Sequence, residues 1–249
     1  MRAAFATILH DPEALLAGPF EAAAPRLRAT FAGIAVSLTE ATHPAIMQVM
    51  SGALGARVGR HPTGEQYIGL GRRSAVALAL EFGADHILYA DPDHMLHWLR
   101  DDPDELRTAL DTTPEAGLLI VGRSPRAFAS WPERLQQTEA PINRAYELAT
   151  GRSADLLAAV RRLSAAVARD IAAHATADTY ANDVEWPLLA ERLGHQVSYF
   201  SADGLKYRTI EQFGAPADTL DGEPLQWLRR IEMAAEQARV MARMLLPPN

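Results

Sequence analysis

The stretch Ala84-Asp85-His86-Ile87-Leu88-Tyr89-Ala90-Asp91-Pro92-Asp93 is a short apolar run that ends in two carboxylates one residue apart. A run of this length after a glycine turn is typical of a buried strand in a parallel sheet. Ligands bind just beyond the carboxyl ends of such strands, so Asp91 and Asp93 are predicted to lie at a binding site. Two oxygen ligands with open positions around them suit Mg²⁺ or Mn²⁺ carrying substrate phosphates. The alternative is a solvated Asp-Pro-Asp turn.

The composition limits the classes of function that the chain can have. Its 249 residues, 48% of them hydrophobic, can form one substantial core, and we predict a single domain. A formal charge of −7 argues against a broad surface for nucleic acid or anionic membranes. The lack of cysteine excludes disulfides and thiolate chemistry. Because we find neither a signal segment nor an apolar stretch of bilayer-spanning length, we expect a soluble, cytoplasmic protein without a transmembrane segment.

Strand and helix signals alternate along the chain. Five apolar runs predict strands, at residues 2–9, 33–38, 87–90, 117–122 and 197–200. Residues 57–60 fit either a further strand or a loop, and residues 133–169 are predicted to be helical with a break at Gly151. This alternation indicates an α/β fold, with a mostly parallel sheet flanked by helices and a C-terminal helical extension.

The segment that leads into the opening stretch carries small residues and two arginines at regular spacing. They are Gly69, Gly71, Arg72, Arg73, Ala75, Ala79 and Gly83. Together with the apolar strand and Asp-Pro-Asp, they give the chain a pattern that resembles the GT-A superfamily of nucleotide-sugar glycosyltransferases, above all family 2. In that family a Gly-x-x-x-Arg segment with small residues precedes an apolar strand and an Asp-x-Asp motif. Pro92 departs from the small residue usual between the two carboxylates.

A second stretch, residues 180–200, extends the resemblance. Family 2 enzymes have an acidic pair, an amphipathic helix, a glycine stop and an apolar strand in this order, and Asp183 and Glu185 match the acidic pair. In inverting members the acidic residue removes the proton from the acceptor hydroxyl, so the resemblance implies that Asp183 or Glu185 is catalytic. In a retaining reaction the pair would instead position the acceptor. The alternative from the residues alone is capping of a helix that begins near Trp186.

The resemblance covers roughly residues 1–208 and implies a metal-dependent hexosyltransferase-type reaction. A sugar would move from a nucleotide-diphosphate donor to a small-molecule or glycan hydroxyl, with Mn²⁺ or Mg²⁺ held by Asp91 and Asp93. The expected contacts with the nucleotide-sugar are His10, Glu40, Arg72, Arg73, Asp91, Arg123, Lys206 and Arg208. Of these, Glu40 would contact the base. The domain would then divide into a nucleotide-binding half (1–122), an acceptor-side half (123–222) and a C-terminal helix (223–249).

Two other functions stay open at this point. A sugar nucleotidyltransferase uses similar carboxylates, but the Gly-rich, Lys-containing loop expected after its first strand is replaced here by residues 10–13, His-Asp-Pro-Glu. A catalytically silent nucleotide- or glycan-binding relative would bind the donor with or without metal. His94 and His97 are additional candidate metal ligands. The C-terminal helix is predicted to pack on the core, with a homodimer contact as the alternative.

Overall fold

Seven strands form one sheet in the computed structural model, which describes residues 2–207 and 219–245. The strands are β1 (Ala3–Leu9), β2 (Ile34–Thr39), β3 (Arg57–His61), β4 (His86–Tyr89), β5 (Leu118–Arg123), β6 (Val160–Ser164) and β7 (Val197–Ala202). Their order across the sheet is β3-β2-β1-β4-β6-β5-β7. Strand β6 runs antiparallel to both of its neighbours, whereas the other described pairs are parallel. The predicted α/β class with a mostly parallel sheet is therefore confirmed.

Helices cover both faces of the sheet. They are α1 (Ala17–Thr30), α2 (Pro44–Gln48), α3 (Ile68–Leu80), α4 (Pro92–Asp101), α5 (Pro103–Asp111), α6 (Pro125–Ala129), α7 (Glu133–Thr150), α8 (Ala165–His174), α9 (Asn182–Arg192) and α10 (Pro224–Leu245). All seven residues of β1 are buried, because helices pack on both faces of the strand. Phe5 and the other residues on its face pack against α1 and α4, whereas Ala4 and Ala6 on the opposite face pack against α3. Burial on both faces explains why the central strands are continuous apolar runs in the sequence.

The prediction of a helical segment over residues 133–169 is wrong in its second half. Helix α7 ends at Gly151, whose φ of 71° forms a left-handed C-cap, and β6 follows before α8 begins. The sequence conceals β6 because it carries Arg161 and Arg162, both fully buried. Arg162 donates to the carbonyl of Leu110 (2.7 Å) at the end of α5, and Arg161 donates to the carbonyl of Asp183 (3.2 Å). These bonds replace the hydration that a charged side chain loses on burial.

The carboxyl ends of β1, β2, β4, β5 and β7 lie along one edge of the sheet, which we call the carboxyl rim. Among the predicted site residues, His10, Glu40, Asp91, Asp93 and Lys206 follow these strands, so the topology brings them to the same edge. Helices α3 and α9 carry Arg72, Arg73, Asp183 and Glu185, and Arg123 ends β5. Helix α10 packs against α7 and α9 and buries Val240 and Met241, whereas its Leu225 and Leu228 are exposed. A contact between two copies through α10 stays a prediction. Within the described residues, no helix has the length and apolar character needed to cross a membrane.

Candidate active site

A buried guanidinium, that of Arg72 near the start of α3, lies at the centre of the site. Its side chain is only 2% exposed. Nη2 donates to Asp91 Oδ2 (2.9 Å), and Nη1 donates to Asp183 Oδ1 (2.9 Å) and Asn182 Oδ1 (3.1 Å). Nε donates to the hydroxyl of Tyr89 (3.0 Å), which itself donates to Asp91 Oδ1 (2.6 Å). This set of five residues, the Arg72 network, joins the start of α3, the end of β4 and the start of α9.

The Asp-Pro-Asp sequence forms the junction between β4 and α4. Asp91 has an extended backbone and precedes the helix, Pro92 is the first helical residue, and Asp93 follows in the first turn. Proline fits this position because its missing N–H would have no helical partner there. The side chain of Asp91 is 27% exposed and Asp93 is exposed, so both carboxylates reach solvent at the carboxyl rim.

The glycine-rich segment before Arg72 packs against the loop that precedes α9. The N–H of Gly69 donates to the carbonyl of Asp178 (2.6 Å), and a Cβ at Gly69 would clash with the backbone of that loop. Arg73 also binds this loop, because its Nη2 donates to Asp178 Oδ1 (2.6 Å). The glycine and Arg73 therefore hold Asn182 and Asp183 against Arg72.

The two acidic candidates on α9 have different surroundings. Both Asp183 and Glu185 are buried. Burial raises the pKa of Asp183, and the positive charges of Arg72 and Arg161 offset only part of that rise. Glu185 instead accepts from the backbone N–H of Thr176 (2.8 Å), from its hydroxyl (2.8 Å) and from a further backbone N–H (3.0 Å). Of the two, Asp183 belongs to the Arg72 network.

Two further candidates lie at the ends of β1 and β2. The ring Nδ1 of His10 is 2.9 Å from the hydroxyl of Thr39. Glu40 is exposed and lines a cavity of about 540 Å³ that also includes Thr42 and Arg60. This cavity opens at the carboxyl rim, on the β2 side of Asp91.

Arg123 at the end of β5 forms a separate buried network. Its Nε donates to Asp155 Oδ2 (2.7 Å) and its Nη2 to Glu139 Oε2 (2.5 Å). Phe128 and Trp131 each place a ring centroid 4.7 Å from the guanidinium. We call these five residues the Arg123 network. The side chain of Arg123 is 1% exposed, so its guanidinium is enclosed by the protein itself.

The remaining predicted residues lie around the two networks. Lys206 is exposed beyond β7, and Arg208 lies outside the described residues. His94 is buried with its ring centroid 5.5 Å from that of Trp131, and Nδ1 of His97 is 3.2 Å from a guanidinium nitrogen of Arg100. In residues 2–207 and 219–245, no three His, Cys, Asp or Glu side chains group together as metal ligands.

Sequence reasoning missed Tyr89, Asn182 and Tyr180 as parts of the site. Tyr89 had a usable signal, because side chains two residues apart on extended backbone share a face and Tyr89 stands two before Asp91. Tyr180 lies in the loop before α9, with the guanidinium carbon of Arg72 5.6 Å from its ring centroid. No local pattern predicts that contact, since it joins residues more than a hundred positions apart.

The strand order, with one antiparallel strand between β4 and β5, defines the GT-A class of α/β fold, and the fold expected from the resemblance is confirmed. Solved structures of glucosyl-3-phosphoglycerate synthase from Mycobacterium tuberculosis are similar over 100% of this chain. A complex with Mn²⁺, UDP-glucose and phosphoglyceric acid has a TM-score of 0.58, 14% identity and 81% of its own chain covered. A second structure has a TM-score of 0.55, 16% identity and 82% covered. A complex with Mg²⁺ and UDP has a TM-score of 0.56, 14% identity and 80% covered.

Comparison by sequence finds no such relative. No protein-family model matches the chain, and no curated protein matches it. At 14 to 16% identity, the likeness to the solved structures establishes the fold.

Proposed function

We propose that the chain is a metal-dependent glycosyltransferase that moves a sugar from a nucleotide-diphosphate donor to an acceptor hydroxyl. The observation that carries this proposal is the pair Asp91 and Asp93 at the end of β4, beside a buried arginine that ties Asp91 to Asp183. The structures of similar fold support it, because glucosyl-3-phosphoglycerate synthase has been solved with UDP and Mn²⁺ or Mg²⁺ bound.

The donor atoms at the end of β4 fit a hard divalent cation. Each carboxylate oxygen of Asp91 accepts one hydrogen bond, from Arg72 or Tyr89, and so keeps a lone pair for a metal. Asp93 adds an exposed carboxylate. Mg²⁺ in particular is commonly held by one or two carboxylates while substrate phosphates and water complete its shell. A bound Mn²⁺ or Mg²⁺ would supply Lewis-acid stabilisation of the departing nucleoside diphosphate.

The chain's own residues would prepare this site in advance. The charge-assisted bond from Arg72 and the hydroxyl of Tyr89 fix the carboxylate plane of Asp91, so little reorganisation is needed when the donor binds. For the nucleoside we propose the cavity that Glu40 lines, next to His10. Lys206 and Arg208 stay proposed contacts of the donor. Arg73 and Arg123 are held by the protein's own carboxylates, so we assign them to positioning.

For the acceptor side we propose Asp183 rather than Glu185. Asp183 shares Arg72 with Asp91, whereas both oxygens of Glu185 are hydrogen-bonded to the loop before α9. A carboxylate whose pKa is raised by burial is a stronger base than one in water, which suits proton removal from the acceptor hydroxyl in an inverting reaction. In a retaining reaction the same residue would position the acceptor.

The proposal is tested by the thermal stability of the protein with nucleoside diphosphates, with and without Mn²⁺. We expect UDP or another nucleoside diphosphate at 100 times its Kd to stabilise the fold by about 2.7 kcal/mol, but only with Mn²⁺ present. In Asp93→Ala, the addition of Mn²⁺ should no longer increase the stabilisation by the nucleoside diphosphate. The matched control is Asp104→Ala, an exposed carboxylate at the start of α5. If the nucleoside diphosphate stabilises wild type and Asp93→Ala equally in the presence of chelator, the metal site is contradicted. The chain would then be a protein that binds nucleotide without metal.

A further inference from the structure

We infer that the acceptor binds in a second cavity beside the Arg72 network, and that this acceptor is a neutral, polyhydroxylated molecule such as a sugar or glycoside. The inference rests on the proposed function. The cavity, which we call the α10 cavity, lies between α10, the loop residues Thr179 and Tyr180, and the short turn that begins at Glu65. Its volume of about 630 Å³ lies within the usual range for small-molecule sites.

Tyr180 connects the α10 cavity with the active site. Tyr180 is among the residues that line the cavity, and its ring centroid lies 5.6 Å from the guanidinium carbon of Arg72. The next residues along the chain, Asn182 and Asp183, bind that same guanidinium. A molecule in the α10 cavity would therefore contact Tyr180, in the loop that leads directly into Asn182 and Asp183.

The walls of the α10 cavity are held together by polar contacts between distant parts of the chain. Arg229 donates through Nε to Glu65 (3.0 Å), which ties α10 to the turn before α3. Thr179 donates to Glu236 (2.7 Å), and Gln237 donates to the carbonyl of Tyr180 (3.4 Å). The helix is thus joined to both other walls. Such a preformed cavity needs little ordering when a ligand binds.

The charges around the α10 cavity favour a neutral ligand. The charged residues that line it are Glu65, Glu232, Glu236, Arg229 and Arg239. Three carboxylates against two guanidiniums leave one excess negative charge. A phosphorylated or carboxylated molecule would meet like charge, which costs binding energy. Hydroxyl groups can both donate to carboxylates and accept from guanidiniums, and the ring of Tyr180 offers an apolar face. This combination suits a saccharide.

The inferred acceptor class differs from the acid found in a similar fold. Glucosyl-3-phosphoglycerate synthase has been solved with phosphoglyceric acid bound. In the present chain the three carboxylates that line the α10 cavity outnumber its two guanidiniums, so such an acid would meet one excess negative charge. The charge of this cavity therefore predicts a different acceptor for the same kind of transfer.

The test measures binding by saturation-transfer NMR, with Mn²⁺-free protein and with methyl α-glucoside, maltose and 3-phosphoglycerate as probes. Ala235 lines the cavity, so Ala235→Trp should fill it. We expect this variant to weaken binding of the neutral sugars about tenfold, equivalent to about 1.4 kcal/mol. The matched control is Ala242→Trp, an exposed alanine on α10 outside the cavity, which should change binding by less than about twofold.

A second variant tests the charge without filling the cavity. Glu232 is exposed and lines the cavity, so Glu232→Lys reverses its excess charge with little risk to folding. We expect it to improve binding of 3-phosphoglycerate severalfold, whereas Glu223→Lys, exposed before α10 begins, should not. The inference is overturned if Ala235→Trp binds the sugars as well as wild type does. It is also overturned if the wild-type protein binds 3-phosphoglycerate but neither sugar.

The stability assay with UDP and Mn²⁺ separates this inference from the proposed function. If UDP stabilises the protein in the presence of Mn²⁺ but neither sugar binds, the α10 cavity is not the acceptor site and the proposed function stands. If the sugars bind in a way that depends on Ala235 but no nucleoside diphosphate does, the transferase proposal falls and the cavity remains a saccharide site.

Discussion

Two buried arginines at the carboxyl rim have similar partners and different access to solvent. Arg72 binds Asp91 and Asp183, whose side chains are 27% and 7% exposed, whereas Arg123 binds Asp155 and Glu139, at 8% and 4%. Each guanidinium binds two carboxylates. Only the Arg72 network presents a carboxylate to solvent at the end of a strand. A buried ion pair is by itself weak evidence for function, so access at the rim makes the Arg72 network the better candidate.

Asp183 and Asp155, one acidic partner of each arginine, also differ in the direction of their pKa shifts. Burial raises the pKa of Asp183, and Arg72 and Arg161 compensate only in part. Burial acts on Asp155 in the same direction, but hydrogen bonds from the side chain and backbone N–H of Arg123 outweigh it, and the pKa of Asp155 is lowered. Arg123 thus favours the charged form of Asp155, although burial raises the pKa of its other partner, Glu139. Asp183 in the Arg72 network takes up a proton more readily than Asp155 does.

The largest effect is expected from Asp183→Asn, which tests the Arg72 network as the functional one. The amide keeps the shape of the side chain and can still accept from Arg72, so donor binding should persist while sugar transfer falls by about 10² to 10⁴ if Asp183 is the base. Turnover is measured beside thermal stability. A loss of transfer that only follows the loss of folded protein would assign Asp183 to the fold.

Arg123→Ala tests the other network and should act on stability. Removing the guanidinium leaves Asp155 and Glu139 buried without their partner, so the free energy of unfolding in urea should fall by about 3–5 kcal/mol. The control is Arg126→Ala, an exposed arginine paired with Asp203, which should cost less than about 1 kcal/mol. A stable Arg123→Ala protein that no longer binds the donor would reverse our assignment of the two networks.

Glu185→Gln separates the two acidic residues of α9. The glutamine can accept with one oxygen where the carboxylate uses two, so we expect a loss of about 1.5–3 kcal/mol in the free energy of unfolding. Transfer per folded molecule should stay within about twofold of wild type, because Glu185 binds the loop before α9 and not Arg72. A well-folded variant without transfer activity would instead point to Glu185 as the catalytic base.

The sequence predicted the sheet class and the position of Asp91, because both depend on local signals. The apolar run of β4 and the turn residues after it are contiguous, and they place Asp91 and Asp93 at a strand end. The bounds of β6 could not be predicted in this way, because two buried arginines in a strand look like the polar face of a helix.

The different roles of the two arginines could not be predicted either. Arg72 lies on the helix before β4 and Arg123 ends β5, and their roles depend on partners far along the chain. Arg72 is 111 residues from Asp183, and Arg123 is 32 from Asp155, in the segment where the helical prediction was wrong. Such pairings are decided by the tertiary fold, so the sequence could name the arginines without showing which one faces the site.

The smallest expected effect, a change in how stability depends on pH, compares the two aspartates directly. The lowered pKa of Asp155 means that its charge stabilises the fold above the unfolded-state pKa of about 3.9, and that this contribution is lost as the pH falls through the folded-state value. Asp155→Asn should therefore cost on the order of 1 kcal/mol more at pH 7 than at pH 3.

Asp183→Asn should show the opposite trend in the same urea titrations. Because the pKa of Asp183 is raised in the folded state, ionisation of the wild-type carboxyl reduces stability as the pH rises from the unfolded-state value through the folded-state one. The variant lacks this ionisation, so its stability relative to wild type should improve between pH 3 and pH 7. Asp104→Asn, at an exposed carboxylate outside both networks, serves as the control. Parallel profiles for both aspartate variants would show that the two arginine networks hold their carboxylates alike.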